Sequence, residues 1–151
     1  MFMSAITRAR QLVIVTGAFV ASGLLVVCAQ SGQTKAPMSD ADYQKAMKDI
    51  GPAFMALQRD NASMSHADGE KQAQLLSDRF KEVQAYWEAK KVSDAVEFAK
   101  SAVAAADATI KASSAMDMTT LTSSQQKLQA ACAGCHMAHR ERLPDGSYKM
   151  K

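Results

Sequence analysis

Two cysteines and a histidine near the C-terminus have the types and spacing that indicate a specific chemistry. They form the segment Cys132-Ala133-Gly134-Cys135-His136. In a C-x-x-C-H motif the two thiols can form thioether bonds to the vinyl groups on one edge of a porphyrin, and the histidine can reach the iron. The motif therefore predicts one covalent haem c, attached through Cys132 and Cys135, with His136 as an axial iron ligand.

Two other chemistries use a C-x-x-C pair and are the weaker alternatives. A redox-active disulfide has this spacing, but it usually belongs to a βαβ unit, and no β-rich stretch precedes Cys132. A structural zinc site could recruit His136 or His139, but it generally needs a second, separated pair of ligands. Only His66 remains to supply one, so haem is the favoured interpretation.

Residues 1–29 are predicted to be a secretory signal peptide rather than part of the fold. A basic region around Arg8 precedes an almost unbroken apolar run from Leu12 to Val27. This run is shorter than the ~20 residues of a membrane span, and Val27-Cys28-Ala29 suits a cleavage site. We expect cleavage near Ala29, a periplasmic location, and no attachment to the membrane afterwards.

The charge balance and the cysteine content argue against several classes of protein. The whole chain has 18 basic and 15 acidic residues, and loss of the leader brings these numbers closer together. This balance argues against nucleic acid or an anionic membrane as the main partner. Outside the leader both cysteines belong to the motif, so the domain is not a disulfide scaffold. The sequence also has no nucleophile–base pattern, so we do not expect enzymatic activity. We expect the protein to exchange electrons with a redox partner that the sequence does not identify.

Apolar residues recur at spacings of three and four in four segments, which predicts four amphipathic helices within residues 39–142. The first should begin at Ser39 or Asp40 and bury Tyr43, Met47, Ile50, Phe54 and Leu57. The second should span about Glu70–Ala89 and the third Val92–Ile110, and the fourth should begin near Thr119 and end near Arg142.

The segments between the four predicted helices determine how the helices are connected. Pro52 should kink the first helix without ending it, residues 61–69 read as a loop, and residues 113–117 break the third stripe. Residues 30–38 should form a flexible lead-in and residues 143–151 a surface tail. Short connections between amphipathic helices predict an all-α, antiparallel four-helix bundle with the haem on its C-terminal helix.

A haem motif on the last helix of an exported four-helix bundle resembles the class II c-type cytochromes, the cytochrome c prime family and its low-spin relatives. The matching segments are Cys132-Ala-Gly-Cys135-His136-x-x-x-Arg140 and 43–51, Tyr-Gln-Lys-Ala-Met-Lys-Asp-Ile-Gly. The sequence departs from the family in a short first connection, in Pro52 and in a longer C-terminal tail. The resemblance implies a haem electron carrier, with a homodimer as one option.

The resemblance also implies roles for two further residues. Met47 occupies the family position that faces the open side of the haem, where methionine gives a six-coordinate, low-spin iron suited to electron transfer. An apolar residue there gives the alternative, a five-coordinate haem that binds nitric oxide or carbon monoxide. From the residues alone, Met47 is as readily a core residue. Arg140 is either a haem propionate contact or an exposed charge near the end of the helix.

Other candidates are given lesser roles. Met55 is the reserve sixth ligand and Met64 a weaker one, whereas Met137 follows His136 directly and cannot reach across the haem plane. His66 and His139 are expected at the surface. Three aromatic residues are expected in the core, with one or two forming walls of the haem site: Phe54, Phe80 and Trp87.

Overall fold

The computed structural model describes residues 38–151, so the predicted signal peptide and nearly all of the lead-in lie outside the described residues. Helices α1 (Asp40–Ala62), α2 (His66–Lys90), α3 (Ser93–Ala115) and α4 (Met118–His139) are followed by strands β1 (Arg140–Arg142) and β2 (Tyr148–Met150). Each helix packs against the next one along the chain. The all-α class and the helical bundle are confirmed.

Hydrogen bonds between helices establish their directions. At the start of α1, Asp40 accepts a hydrogen bond of 2.9 Å from the hydroxyl of Tyr86, near the end of α2. Late in α3, the Thr109 hydroxyl donates to Ser124, early in α4, over 2.9 Å. Neighbouring helices therefore run antiparallel, as their connections of two or three residues require.

The start of α1 and the absence of a stop at Pro52 follow the sequence expectations. Ser39 is the N-cap, and it forms a capping box with Asp42, which satisfies backbone donors of the first turn. The helix continues through Pro52. Gly51 precedes the proline, and because it has no Cβ it can stay helical at a position where other residues would crowd the proline ring.

The predicted loop at residues 61–69 is wrong, because only residues 63–65 separate α1 from α2. Asn61 is 7% exposed, and its side-chain amide donates to Gln125 of α4 over 3.0 Å. A Cβ added to Gly69 would lie 2.6 Å from the Asn61 Oδ1, so glycine allows α2 to approach this amide. The polar and small residues here serve helix packing rather than a loop.

The third helix also extends beyond its predicted end, to Ala115. Its last turns are held by small and polar side chains that a search for apolar spacing overlooks. Thr109 and Ser113 are buried, and the Thr109 hydroxyl oxygen also lies 2.9 Å from the backbone carbonyl oxygen of Ala105. The break therefore lies at residues 116–117 rather than across 113–117.

The core forms where the four helices meet and is rich in aromatic residues and alanine. Tyr43, Tyr86 and Trp87 pack with ring centroids 4.4 to 5.7 Å apart. Alanines of α3, including Ala99 and Ala106, are buried and allow close approach of α2 and α4. Within residues 38–151, no helix combines the length and apolar character required to cross a bilayer.

The C-terminal segment differs most from the expectation. Helix α4 ends at His139, and Arg140 adopts extended backbone angles instead of continuing the helix. Strand β1 pairs antiparallel with β2, with Arg140 opposite Met150. A turn with Gly146 at φ 83° joins the strands. The predicted surface tail is therefore one arm of a hairpin, and Met150 packs against the core.

Candidate cofactor site

A cavity of about 580 Å³ is lined by all four helices and the C-terminal hairpin. Helix α1 forms one wall and α4 forms another, and α2 and α3 contribute further lining residues. All five residues singled out as site residues from the sequence line this cavity: Met47, Cys132, Cys135, His136 and Arg140. The fold thus brings together residues from the first and last helices.

The two motif cysteines lie on the α4 wall as free thiols, with Cys135 buried and Cys132 partly exposed. Burial raises the pKa of Cys132 to about 11, with a smaller contribution from Cys135. Burial is also the main cause of the raised pKa of Cys135, followed by Asp94. Redox-active C-x-x-C pairs depend on a thiol whose pKa is lowered. The environment therefore disfavours the redox disulfide alternative.

His136 occupies the last turn of α4 and is partly buried in the same cavity. Burial, followed by repulsion from the Arg140 guanidinium, lowers the pKa of its imidazole. A lowered pKa keeps the ring neutral at physiological pH, and neutral imidazole is the form that binds a metal. The side chain therefore has the protonation state required of an axial ligand.

The zinc alternative finds no further support in the arrangement of polar ligands. Within the described range 38–151, no group of three or more His, Cys, Asp or Glu side chains could hold a metal ion. A structural zinc site normally needs four such ligands. His66, which the zinc hypothesis required, begins α2, near the end of the bundle opposite to the motif.

The methionines separate clearly by location. Met47 lines the cavity and packs partly buried against the core. The reserve ligand Met55 is 64% exposed, Met64 is 68% exposed, and Met137 is 77% exposed. None of these three lines the cavity. Among the methionines weighed from the sequence, Met47 alone is placed where it could meet a ligand held by His136.

The two other histidines are not simple surface residues, so that expectation is wrong. The His139 side chain is only 12% exposed, with Nε2 2.9 Å from a carboxylate oxygen of Asp94. Its ring also packs against Trp87, at 5.3 Å between centroids. His66 is partly buried, and its Nδ1 is buried without a hydrogen-bond partner in the described structure. His139 was expected at the surface because the motif assigns the iron to His136, and His66 because it lies in a polar stretch of the sequence.

Aromatic residues line the cavity, and one of them escaped the sequence reasoning. Phe54 and Phe80 line it, as expected of one or two of the core aromatics, whereas Trp87 is buried outside it. Phe98 of α3 also lines the cavity and packs directly against Gly134 of the motif. It lies off the apolar stripe of the third helix, so helical spacing gave no signal for it.

The C-terminal hairpin also contributes residues that the sequence did not indicate. Ser147, Tyr148, Lys149 and Met150 all line the cavity. Arg140 was expected on the same helical face as His136, but it reaches the cavity from the start of β1. Its guanidinium carbon lies 3.4 Å from the centroid of the Tyr148 ring. This stacking fixes the Arg140 side chain at the edge of the cavity.

The sequence matches no protein-family model, and no curated protein or solved structure matches the chain.

Proposed function

We propose that this protein is a c-type cytochrome that carries single electrons through one haem c attached covalently to Cys132 and Cys135. One observation carries the proposal. His136 and both cysteines share a cavity with Met47, although Met47 lies in the first helix and the motif in the last. His136 and Met47 would be the two axial iron ligands. The proposed function is that of the low-spin class II cytochromes, which the motifs of this chain resemble.

The lining of the cavity fits this group. Its volume falls within the range typical of sites for cofactors and drug-sized ligands, roughly 300–1,000 Å³. Three phenylalanines and several aliphatic side chains provide apolar surface for a porphyrin. The lowered pKa of His136 keeps its imidazole neutral, which is the form that binds a metal. Donor types, protonation state and apolar surface all agree with the cofactor that the motif predicts.

The bound haem would supply one chemistry, the reversible exchange of one electron between its ferrous and ferric iron. The protein's residues would tune that exchange. A histidine–methionine ligand pair raises the reduction potential of the iron. Phe54, Phe80 and Phe98 give the site an apolar lining, and the low local dielectric that this lining would create disfavours the more highly charged ferric state. These residues make the site suitable for electron transfer to a partner protein.

The remaining parts of the proposal concern where the protein acts. Residues 1–29 would direct export to the periplasm and be cleaved near Ala29. The mature domain would exchange electrons there with a redox protein, without enzymatic activity of its own. Its nearly balanced charge gives no reason to involve nucleic acid or a membrane surface.

Two measurements test the proposal. The full gene is expressed in a host able to mature c-type cytochromes, and the intact mass of the product is determined. We expect the mass of the cleaved chain plus one haem, and the bare polypeptide mass would disprove covalent attachment. The absorption spectrum of the reduced protein is then recorded with and without carbon monoxide. Sharp low-spin bands unchanged by the gas support the electron carrier, whereas a high-spin spectrum that shifts supports the gas-binding alternative.

A further inference from the structure

The charged residues that line the cavity are all basic. They are Lys48 of α1, Arg140 of β1 and Lys149 of β2, and no Asp or Glu among residues 38–151 lines the cavity. The other lining residues are apolar or uncharged. His136 belongs with them, because its lowered pKa keeps the imidazole neutral at physiological pH. A ligand that matches this lining has an apolar body and acidic groups confined to one edge.

The cation on β1 is held in place but is not neutralised. Arg140 lies with its guanidinium over the face of the Tyr148 ring. Stacking of this kind uses the face of the guanidinium and leaves the N–H groups at its edge able to bind a carboxylate with two hydrogen bonds. Within residues 38–151, Arg140 forms no salt bridge.

The cation on β2 has only a weak partner. The Nζ of Lys149 lies 3.2 Å from a carboxylate oxygen of Glu141, and the two side chains are 56% and 49% exposed. Exposed pairs of this kind contribute little to stability, because solvent screens them. A carboxylate in the cavity could therefore attract Lys149 without the loss of a strong interaction.

The backbone of the hairpin fixes these cations relative to the haem motif. The register places Arg140 opposite Met150, which packs against the core. Beyond the strand, the amide of Lys151 donates to the carbonyl of His139 over 2.9 Å. The hairpin is thus fastened to the end of α4 and to the core, which holds the backbone of Arg140 and Lys149 beside the cavity.

We propose that the C-terminal hairpin, residues 140–150, is the carboxylate-recognising wall of the cavity. Arg140 and Lys149 bind the acidic groups of a porphyrin, and Lys48 adds a third positive charge from α1. This inference rests on the proposed function for the identity of the ligand. It extends that proposal by assigning recognition of the acidic groups of the porphyrin to the hairpin, and not to the motif.

Binding of two porphyrins without vinyl groups tests this assignment without any covalent attachment. The apo full-length chain, kept reduced and checked for helicity by circular dichroism, is titrated with mesoporphyrin IX and with its dimethyl ester. We expect the diacid to bind at least about tenfold more tightly than the ester, as charged hydrogen bonds of ordinary strength imply. Arg140→Gln and Lys149→Gln should each weaken binding of the diacid about 3- to 10-fold and leave ester binding unchanged.

Arg142→Gln is the matched control, because Arg142 lies on the same strand as Arg140 but does not line the cavity. It should bind both porphyrins like the wild type. Equal affinities for diacid and ester would overturn the assignment while leaving the cofactor site intact. So would an Arg142→Gln variant as impaired as Arg140→Gln. If neither porphyrin binds a folded chain, the assignment also fails, and the mass measurement above decides separately on the haem itself.

If the apo chain does not fold, the holoprotein provides the second test. Its reduction potential is followed against pH for the wild type, Arg140→Gln and Arg142→Gln. Loss of a cation beside a haem carboxylate should raise the pKa of that carboxylate, so the pH-dependent step in the potential moves upward only for Arg140→Gln. Superimposable profiles for all three proteins would overturn the assignment.

Discussion

Gly134 lies directly against the ring of Phe98, so that a Cβ at this position would come within 2.4 Å of the Phe98 Cε1. The contact joins α3 to the centre of the haem motif on α4. A side chain at position 134 would force the ring away from the motif. The second of the two residues between the cysteines, Gly134, is therefore small for a packing reason that is independent of cofactor chemistry.

Gly134→Ala tests this contact. Alanine favours the helix by about 1 kcal/mol over glycine, but overpacking against Phe98 costs about 1–3 kcal/mol. We expect a net loss of stability in thermal unfolding. In a Phe98→Ala background the clash is absent, and Gly134→Ala should then stabilise the protein. Ala133→Ser, at the exposed neighbouring position, should change little; equal effects of Gly134→Ala in both backgrounds would refute the packing account.

Met47→Ala should remove the sixth ligand of the proposed haem iron. Met47 lines the cavity beside the core, so its loss would leave His136 as the only protein ligand of the proposed iron. The reduced spectrum should change from low-spin to high-spin and become sensitive to carbon monoxide. Met55→Ala is the matched control, since Met55 lies on the same helix but is 64% exposed. A low-spin spectrum that persists in Met47→Ala would exclude this methionine as ligand.

Asp117 links the stability of the motif helix to pH. It caps α4 by accepting hydrogen bonds from the amides of Thr119 and Thr120, and the bonds from Thr120 lower its pKa below the usual value of 3.8. A lowered pKa in the folded state stabilises the protein above the unfolded pKa, and this contribution disappears as the pH falls through the folded value. At pH 7, Asp117→Ala should melt at a lower temperature than the wild type.

The gap in melting temperature between Asp117→Ala and the wild type should shrink once the pH falls below 3.8. Asp78→Ala provides a comparison, since Asp78 is an exposed carboxylate of α2 whose salt bridge with Lys81 is long, at 3.7 Å. Its effect on the melting temperature should be small at all pH values. A gap for Asp117→Ala that stays constant down to pH 2 would show that the carboxylate charge is not what caps the helix.

Truncation after Arg142 should expose one side of the proposed cofactor to water. It removes β2, including Tyr148 and Met150, which line the cavity. Greater solvent exposure favours the ferric state, so the reduction potential of the holoprotein should fall. Lys149→Gln removes the charge and retains the cover, so comparison of the two variants separates the effects. An unchanged potential in the truncated protein would show that the hairpin does not shield the haem.

The helices were predictable because their apolar residues follow one period over many turns. The stripe from Tyr43 to Leu57 marks α1, and Ser39 marks its start through a local interaction with Asp42. The helix ends were harder to predict. Asn61 and Gly69 resemble loop residues until the packing of α2 against α1 gives each a partner, and such long-range contacts leave no local pattern.

In the candidate site, too, residues that form a local pattern were predictable, whereas residues brought in by long-range contacts were not. Cys132, Cys135 and His136 are adjacent in sequence, so a local motif identifies them together. Phe98 and the hairpin residues reach the cavity only through the tertiary structure. Arg140 illustrates the limit: the sequence left open whether it lies beside the cofactor or is an exposed charge of the helix, and it reaches the cavity on a strand instead of a helix.

The order in which the helices contact one another has a consequence for folding speed. Each helix packs on the one that follows it, so α1–α2, α2–α3 and α3–α4 can assemble from nearby residues with little loss of loop entropy. The α1 and α4 walls of the cavity close only when the two ends of the domain meet. Closure should therefore be the slow kinetic step, and a ligand that bridges both walls should slow unfolding more than it accelerates folding.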